Sequence, residues 1–253
     1  MLTEQRRTQI LREIQMSGIE TTRALAVKFQ VSEVTIRADL DVLADRRQLE
    51  RIHGGAKAPT VESPAALFHE RMEVNFQAKR RIARAAAELI EDNQTLVFDG
   101  GSTMMQLALH MPPASNIVIA TNSMNIAQQL MSRTGMEVHM VGGKVDMQTV
   151  STMGGFGGKD FEDFVAHKVF VSAHHIDDAF DVVDIVSDVA LTKRRMMQLG
   201  RQVILLVDSS KWNKSGPAKA FPLSSVDIVI TDSDMPASIR KKLYDASIEV
   251  IYA

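Results

Sequence analysis

Small and hydroxyl-bearing residues follow several short apolar runs in the second half of the chain, and such residues suit an anion-binding site. The stretch DGGST at 99–103 follows TLVF, TNS at 121–123 follows NIVIA, and Gly142 follows MEVHMV. Lys211 ends the stretch DSSK, which follows QVILLV. Glycine allows a ligand close to the backbone, and a helix N-terminus offers unpaired N–H groups and a favourable dipole. We therefore predict a phosphate site made from these loops, although each loop alone fits the turns and caps that every α/β protein needs.

The apolar runs that precede these residues predict the fold of this part of the chain. They are TLVF, NIVIA, MEVHMV, KVFVSA, QVILLV, DIVI and IEVIY, and helical segments alternate with them. Such alternation is typical of an α/β domain with a mainly parallel sheet, in which ligands bind at the carboxyl ends of the strands. Lys193, in the first turns of the helical stretch SDVALTKRRMMQLG, adds a cation to the predicted site.

Three short helices are predicted in the N-terminal part of the chain. Residues 3–16 carry apolar side chains at helical spacing, and Gly18 ends the pattern. Thr21 or Thr22 caps a second helix, and Ser32 caps a third whose apolar face holds it to the domain. Two helices joined by a tight turn, the second with polar residues at its start, are typical of a helix-turn-helix that places a recognition helix in the major groove.

The outward face of the third helix carries the side chains that we expect to contact DNA. Ser32, Glu33, Thr35 and Arg37 face base edges or phosphates. Arg37 is the strongest candidate, because a guanidinium donates two hydrogen bonds to guanine or to a phosphate in a geometry that lysine does not match.

A small hairpin wing is predicted after this helix, where residues 48–53 alternate apolar and polar side chains before two glycines. Arg51 and His53 would then lie along the sugar-phosphate backbone. The alternative is a plain three-helix interaction domain with solvated arginines. Residues 1–57 carry 10 Lys/Arg and 8 Asp/Glu within a chain of formal net charge −2, and a local basic surface suffices for phosphate contacts.

The stretch VSEVTIRADLDVLADRRQLERIHGGA resembles the signature of the DeoR family of transcriptional regulators, in which V-S-x-x-T-I-R-R-D-L leads to R-x-H-G-G-A. The family's second arginine is Ala38 here, so one contact is missing and the operator is expected to differ. Arg47 stands where the family tends to have glycine and restores a positive charge nearby. The expected DNA-binding residues are Thr22, Ser32, Glu33, Thr35, Arg37, Arg47, Arg51 and His53.

The loops of the larger domain also resemble the effector domain of the DeoR family, so the resemblance covers nearly the whole chain. It implies a fold similar to ribose-5-phosphate isomerase and the acyl-coenzyme A transferases, and an effector that is a phosphorylated sugar or a related intermediate. The effector contacts that the resemblance implies are Asp99, Gly101, Ser102, Thr103, Thr121, Asn122, Gly142, Lys193 and Lys211.

The stretch after KVFVSA departs from the family pattern. His174 and His175 replace small residues, and Asp188 is the acid nearest to an expected glutamate, so a reshaped pocket is predicted. The histidines and the nearby Asp177 and Asp178 suggest a metal site. Adjacent residues on a strand point apart, however, and the cluster lacks a recognised ligand spacing, so we predict no metal and no other cofactor.

A glycine-rich stretch at 154–160 looks like a phosphate loop but fails the Walker pattern. Met153 occupies the first glycine position, and Asp160 occupies the Ser/Thr position. We interpret the stretch as a flexible gating loop.

The segment 56–66 contains two prolines among small and polar residues without periodicity, which indicates a hinge. The predicted domains are a winged helix-turn-helix over 1–57, a linker over 58–74 and an α/β effector-sensing domain over 75–253. The chain has no cysteine, which excludes disulfides, thiolate metal sites and a cysteine nucleophile. A charged N-terminus and the lack of a long apolar run predict a cytoplasmic protein without a membrane partner.

The sequence thus predicts a DNA-binding repressor of a carbohydrate-catabolism operon, relieved by its effector and acting as a homodimer or homotetramer on double-stranded operator DNA. An activator of the same architecture fits equally. The alternative is an isomerase- or transferase-like enzyme with an appended interaction domain, in which Asp99 is a general base and Lys193 or Lys211 an anion clamp. We do not predict an enzyme, because it would have no use for a helix-turn-helix and the loops lack an evident acid–base pair.

Overall fold

The computed structural model describes residues 3–45, 48–57, 64–113, 115–147, 149–154 and 164–253. The chain divides into two compact units, Met1–Ser63 and Pro64–Ala253. Each unit has hydrophobic core residues of its own. The division differs from the predicted linker over 58–74, because Pro64–Glu73 forms a helix that belongs to the larger unit.

The smaller unit is a three-helix domain with a small antiparallel sheet, as predicted for a winged helix-turn-helix. The predicted wing forms as two short strands, and a third strand that the sequence did not predict pairs with them in the order β1-β3-β2. The elements are α1 (Thr3–Ser17), β1 (Ile19–Thr21), α2 (Thr22–Phe29), α3 (Glu33–Asp45), β2 (Glu50–Ile52) and β3 (Gly55–Lys57).

The core of the smaller unit fixes α3 by apolar packing and by one buried charge. Ile36 and Leu40 of α3 are fully buried against residues of α1 and α2. Asp39, only 2% exposed, accepts hydrogen bonds from Arg6 Nε at 2.6 Å and from Arg7 Nε at 2.9 Å. A buried carboxylate requires such partners, so this interaction fastens α3 to α1 and leaves its opposite face to solvent.

The larger unit combines helices with a long parallel sheet and two small antiparallel ones. The helices are α4 (Pro64–Glu73), α5 (Phe76–Ala87), α6 (Ser102–Leu109), α7 (Met124–Met131), α8 (Ser187–Gln198) and α9 (Ala237–Asp245). The strands are β4 (Thr95–Phe98), β5 (Ile117–Thr121), β6 (Met136–Met140), β7 (Gly143–Asp146), β8 (Ser151–Gly154), β9 (Ala166–Ser172), β10 (His175–Ile176), β11 (Asp181–Asp184), β12 (Gly200–Leu206), β13 (Ala218–Pro222), β14 (Ile228–Thr231) and β15 (Glu249–Tyr252).

The long sheet confirms the predicted parallel architecture. Each of the seven apolar runs forms one of its strands, in the order β15-β14-β12-β9-β4-β5-β6, and every neighbouring pair is parallel. The chain adds β5 and β6 on one side of β4 and then returns to β9 on the other side. This reversal makes the β4–β9 junction the switch point of the sheet, where ligands of such folds bind at the carboxyl ends of the strands.

Alternate residues of the strands pack on opposite faces of the long sheet. On one face, Phe98 of β4 meets Phe170 of β9 edge to face, with ring centroids 5.4 Å apart, in a core shared with residues of α5, α6 and α7. Val97 and Val169 point into the other core, which includes residues of α8 and α9. The structure adds two small sheets that the sequence did not predict, β7-β8 and β10-β11-β13. None of the helices in the described ranges is long and apolar enough to cross a lipid bilayer.

The two glycines of the wing support different predictions. Gly54 has a φ of 78°, and a Cβ on it would have no neighbouring atom within 4 Å. A Cβ on Gly55, by contrast, would lie 2.2 Å from the carbonyl oxygen of Glu20. We expect Gly54→Ala to cost about 1–2 kcal/mol from the left-handed backbone alone. Gly55→Ala should cost more, because it separates β3 from β1.

Two measurements on the full chain distinguish these effects. Circular dichroism follows the helices of both units, and the fluorescence of Trp212, the single tryptophan, follows the larger unit alone. Gly55→Ala should lower the melting temperature of part of the helical signal and leave the Trp212 transition in place. Equal stability of the two glycine variants would contradict the close approach.

Candidate functional site

The N-terminal end of α3 presents polar side chains on the surface of the smaller unit. Ser32 caps the helix as predicted, since its Oγ accepts a hydrogen bond from the Thr35 N–H at 3.1 Å and lies 2.9 Å from Thr35 Oγ1. One turn later, Arg37 Nη2 donates to Glu33 Oε2 at 3.0 Å, with both side chains exposed. Val34, 72% exposed, adds apolar surface at this end of the helix. This face therefore offers hydroxyl, guanidinium and methyl groups to a groove of DNA.

The remaining predicted DNA contacts differ in how they are placed. His53 is exposed in the wing turn. Arg51 uses two of its donors within the domain, on Asp41 Oδ1 and on the Gly55 carbonyl, each at 3.0 Å. Thr22 is 3% exposed, and its N–H donates to the Gly54 carbonyl, so its side chain is not offered to solvent. Thr21, instead, caps α2 through a hydrogen bond from the Ala24 N–H. Arg47 lies outside the described residues.

In the larger unit, a buried ion pair stands at the switch point of the long sheet. Asp99 follows β4, Ser172 ends β9, and Lys193 lies on α8. Asp99 Oδ2 accepts hydrogen bonds from the Ser172 N–H at 3.0 Å, from Ser172 Oγ at 2.8 Å and from Lys193 Nζ. Lys193 Nζ also donates to the Ser172 carbonyl at 2.9 Å. Both charged side chains are about 5% exposed, so each compensates the charge of the other in the interior.

The N-terminus of α6 lies beside this pair and has no side-chain cap. Gly101 occupies the cap position with a φ of 122°, and a Cβ there would lie 3.0 Å from Ser172 Oγ, so glycine allows the close approach. The hydroxyls of Ser102 and Thr103 form no hydrogen bond with another described residue. By contrast, Ser123 caps α7 with a hydrogen bond from the Ile126 N–H. The first N–H groups of α6 are thus available to an anion.

Asn122 and Gly100 extend the site toward β8. Asn122 Nδ2 donates to the Thr152 carbonyl at 2.8 Å, while its Oδ1 is buried without a hydrogen-bond partner in the described part of the chain. A Cβ on Gly100 would lie 3.8 Å from that oxygen. Thr121 is fully buried and accepts a hydrogen bond from the Ser123 N–H, which makes it a support of the loop. Gly142 is exposed, with no atom within 4 Å of a built Cβ.

Two charged residues that the sequence analysis did not select also reach this site. Arg71 of α4 places Nη2 3.8 Å from the position of a Cβ on Gly101. Asp184, at the end of β11, is 6% exposed, and burial raises the pKa of its carboxyl group. Its position after a short apolar run could have indicated a strand-end acid. Arg71 was not selected, because it falls in the predicted linker.

Lys211 and His174 line the same region from the loops that follow β12 and β9. Burial lowers the pKa of Lys211, in spite of the opposing effect of Asp208. The pKa of His174 is lowered to about 4, first by burial and then by the neighbouring His175, Lys211, Arg71 and Lys193. His174 is therefore a neutral ring that can accept or donate one hydrogen bond.

The site as a whole suits an anionic ligand that also carries hydroxyl groups. The amides at the start of α6, the hydroxyls of Ser102 and Thr103 and several cationic side chains lie close together. Asp184 and Asn122 are nearby as hydrogen-bond acceptors. Across the described ranges, no group of three or more His, Asp or Glu residues is placed to hold a metal ion. The predicted gating loop at 154–160 lies outside the described residues after Gly154.

Comparison with known proteins links both units to one family. The DeoR-like helix-turn-helix domain matches residues 6–62, and the DeoR C terminal sensor domain matches residues 74–233. A putative aga operon transcriptional repressor of Escherichia coli O157:H7 is 31% identical over 98% of this chain and 93% of its own length. The glycerol-3-phosphate regulon repressor of Escherichia coli K12 is 32% identical over 99% of both chains.

Among solved structures, a D-ribose-5-phosphate isomerase in complex with phospho-erythronic acid superposes on 54% of this chain and on 54% of its own, with 16% identity and a TM-score of 0.40.

The buried ion pair generates a stability prediction. Lys193→Met leaves the Asp99 carboxylate buried without its cation and should lower the free energy of unfolding by about 3–5 kcal/mol. The double variant Asp99→Asn with Lys193→Met should lose less than Lys193→Met alone, because no uncompensated charge remains. Urea unfolding followed by Trp212 fluorescence measures both, with exposed Lys144→Met as control. A double variant that is less stable than Lys193→Met alone would show that the two side chains do not depend on each other.

The low pKa of His174 predicts acid sensitivity of the larger unit. Between pH 6.5, the ordinary histidine value, and about 4, the unfolded chain binds a proton at this position that the folded chain does not. Stability should therefore fall as the pH falls through this window. His174→Gln should flatten that part of the curve of urea midpoint against pH, whereas His69→Gln, at an exposed position, should not. A parallel curve for His174→Gln would refute the assignment.

Proposed function

Because the chain belongs to the DeoR family and is a DNA-binding transcriptional regulator, we propose that it represses an operon of carbohydrate catabolism and that a phosphorylated sugar or a related metabolite relieves the repression. The helix-turn-helix match and the names of the similar repressors support the first part. The second part rests mainly on one observation, the uncapped N-terminus of α6 beside cationic side chains at the switch point.

The exposed face of α3 supports recognition of the operator by the smaller unit. Its apolar side is buried and Asp39 is bonded to α1, so the outward residues stand on a fixed helix. Of the predicted contacts, Ser32, Glu33, Arg37 and His53 are exposed and Thr35 is partly exposed. Arg51 is also exposed, but it pairs with Asp41 and the Gly55 carbonyl. Arg37 would exchange its pairing with Glu33 for a guanine or a phosphate, a strong hydrogen-bonding partner for guanidinium.

The chemistry of the larger site supports a phosphorylated polyol as effector. A phosphate matches the amides at a helix N-terminus. Hydroxyl groups match Asp184 and the Oδ1 of Asn122, which has no hydrogen-bond partner among the residues that the structure describes. One of the similar repressors is named for the glycerol-3-phosphate regulon, which agrees with a phosphorylated effector. The enzyme alternative is less favoured, because the base it required, Asp99, uses Oδ2 to hold Ser172 and Lys193.

Relief of repression then requires that the effector favours an arrangement of the protein with low operator affinity. We propose that the regulator acts in the cytoplasm as a homodimer or homotetramer, because two recognition helices can then contact successive turns of a repeated operator.

Fluorescence anisotropy on DNA from upstream of the gene itself and of its neighbours tests this proposal at fixed salt. The titrants are glycerol 3-phosphate, ribose 5-phosphate, glucose 6-phosphate and fructose 6-phosphate, with the unphosphorylated compounds and inorganic phosphate as controls. We expect specific binding that one phosphorylated compound releases. Arg37→Ala should weaken operator binding roughly 10- to 100-fold, whereas Arg84→Ala, an exposed arginine of the larger unit, should not.

No specific binding by the wild-type protein would contradict the repressor assignment and direct attention to isomerase activity. Operator binding that no phosphorylated compound changes would contradict the effector assignment. Full operator affinity of Arg37→Ala would show that α3 is not the recognition helix.

A further inference from the structure

We propose that β6 (Met136–Met140), an edge strand of the long sheet, pairs antiparallel with β6 of a second copy of this chain, with the two-fold axis at Val138. The inference rests on the proposed function in one respect, that two copies of the chain act together. It adds the surface through which the copies associate and the register of the two strands.

The outer edge of β6 carries backbone groups that can bond another strand. The β5–β6 ladder begins with the Ile117 N–H donating to the Gly135 carbonyl, and its register is continuous to the end of the strand. The odd-numbered residues of β6 therefore turn their backbone groups toward β5. The N–H and carbonyl groups that point outward, none of them hydrogen-bonded in the described part of the chain, belong to Met136, Val138 and Met140.

Strand β6 also lacks the features that keep natural edge strands apart. Such edges often carry lysine, proline or a β-bulge, whereas β6 has the sequence MEVHM and pairs with β5 without a bulge. All of its side chains are exposed or partly exposed, while every inner strand of the long sheet contains buried residues. The edge is therefore suited to receive a further strand.

One antiparallel register makes the polar side chains of β6 complementary to themselves. When the pair is centred on Val138, Glu137 of each copy stands opposite His139 of the other. Both side chains are exposed on the same face, where His139 Nε2 lies 2.7 Å from Glu137 Oε1. An imidazole N–H donates to a carboxylate, so each acid meets a donor from the second copy. A pair centred on Glu137 would instead place two carboxylates opposite each other.

The other face of β6 supports the same register. Met136 and Val138 pack against the core that includes residues of α6 and α7, and Met140 is 40% exposed. The pair centred on Val138 places Val138 opposite Val138, and Met136 opposite Met140 of the second copy. Each of these residues then exchanges two N–H···O bonds with its opposite residue, because its backbone groups point outward. Apolar contact and backbone bonding therefore agree with the match of Glu137 and His139.

The opposite edge of the long sheet does not offer this match. In β15, the Ala253 N–H donates to the Thr231 carbonyl, so Val250 turns its backbone groups outward as Val138 does. Glu249 is the one charged residue of β15, so no antiparallel pair of two β15 strands places an acid opposite a base. We therefore assign the association to β6.

Sedimentation velocity of the full chain over a range of concentrations tests this surface. Val138→Pro removes an outward N–H and spares the bonds to β5, since an edge strand tolerates proline where its nitrogen faces away from the sheet. We expect half the molar mass of the wild-type assembly, with a dissociation constant raised roughly 10- to 100-fold by the loss of two backbone hydrogen bonds. Val250→Pro is the matched control, because it removes an outward N–H from β15 and also follows a glutamate. It should associate like the wild type.

Exchange of the two polar side chains tests the register and leaves the backbone unchanged. His139→Glu places carboxylates opposite each other and should weaken association roughly 10-fold. The double variant Glu137→His with His139→Glu should associate within about threefold of wild type, because each acid again meets a histidine of the second copy. Both positions are exposed, and Trp212 fluorescence checks that the larger unit stays folded.

The outcomes separate the two levels of the argument. A wild-type chain that is monomeric at concentrations at which it binds operator DNA would contradict the proposed homo-oligomer and, with it, this inference. A wild-type assembly that Val138→Pro leaves intact would refute the role of β6 alone. Failure of the double variant to recover the association that His139→Glu loses would refute the register centred on Val138.

Discussion

The ion pair between Asp99 and Lys193 is the interaction on which the larger unit depends. Two buried charges are costly unless each has a partner and further hydrogen bonds, and Ser172 supplies those bonds to both. The three residues come from β4, β9 and α8, so the pair fixes the two strands of the switch point and the helix that covers them. The site is built around a carboxylate that does not itself have to meet the ligand.

The ion pair explains how the groups that we expect to bind the ligand can remain without hydrogen-bond partners in the described part of the chain. With Asp99 and Ser172 held in place, Gly101 can approach Ser172 closely, and α6 can begin without a side-chain cap. The smaller unit follows the same principle with Asp39, whose two arginine partners hold α3 while its outer face stays free. A buried carboxylate with hydrogen-bond partners therefore holds the recognition surface in both units: Asp39 holds α3 itself, and Asp99 holds the strand ends beside the N-terminus of α6.

The contacts of helix α4 involve two basic residues, Lys79 and Arg71, whose environment the sequence did not indicate. Lys79 lies within a run of basic residues and looks like part of a solvated face, yet it is buried and bonds to two carbonyls at the end of α4. Arg71 lies on α4 and reaches the start of α6. Contacts made in three dimensions therefore decide what these two side chains do in the fold.

The sequence by itself determined the strands of the long sheet, the helix-turn-helix and the family of this protein. Buried parallel strands appear as continuous apolar runs, so all seven strands of the long sheet were predictable, and local capping at Ser32 and the paired wing glycines marked the helix-turn-helix. Only the tertiary structure decided which strand ends meet. Asp99 and Ser172 are 73 residues apart, and their contact depends on the order of strands in the sheet. For the same reason the structure alone showed that Thr22 and Thr121 are buried and that Arg71 and Asp184 join the site, because burial and proximity come from long-range packing that local spacing does not encode.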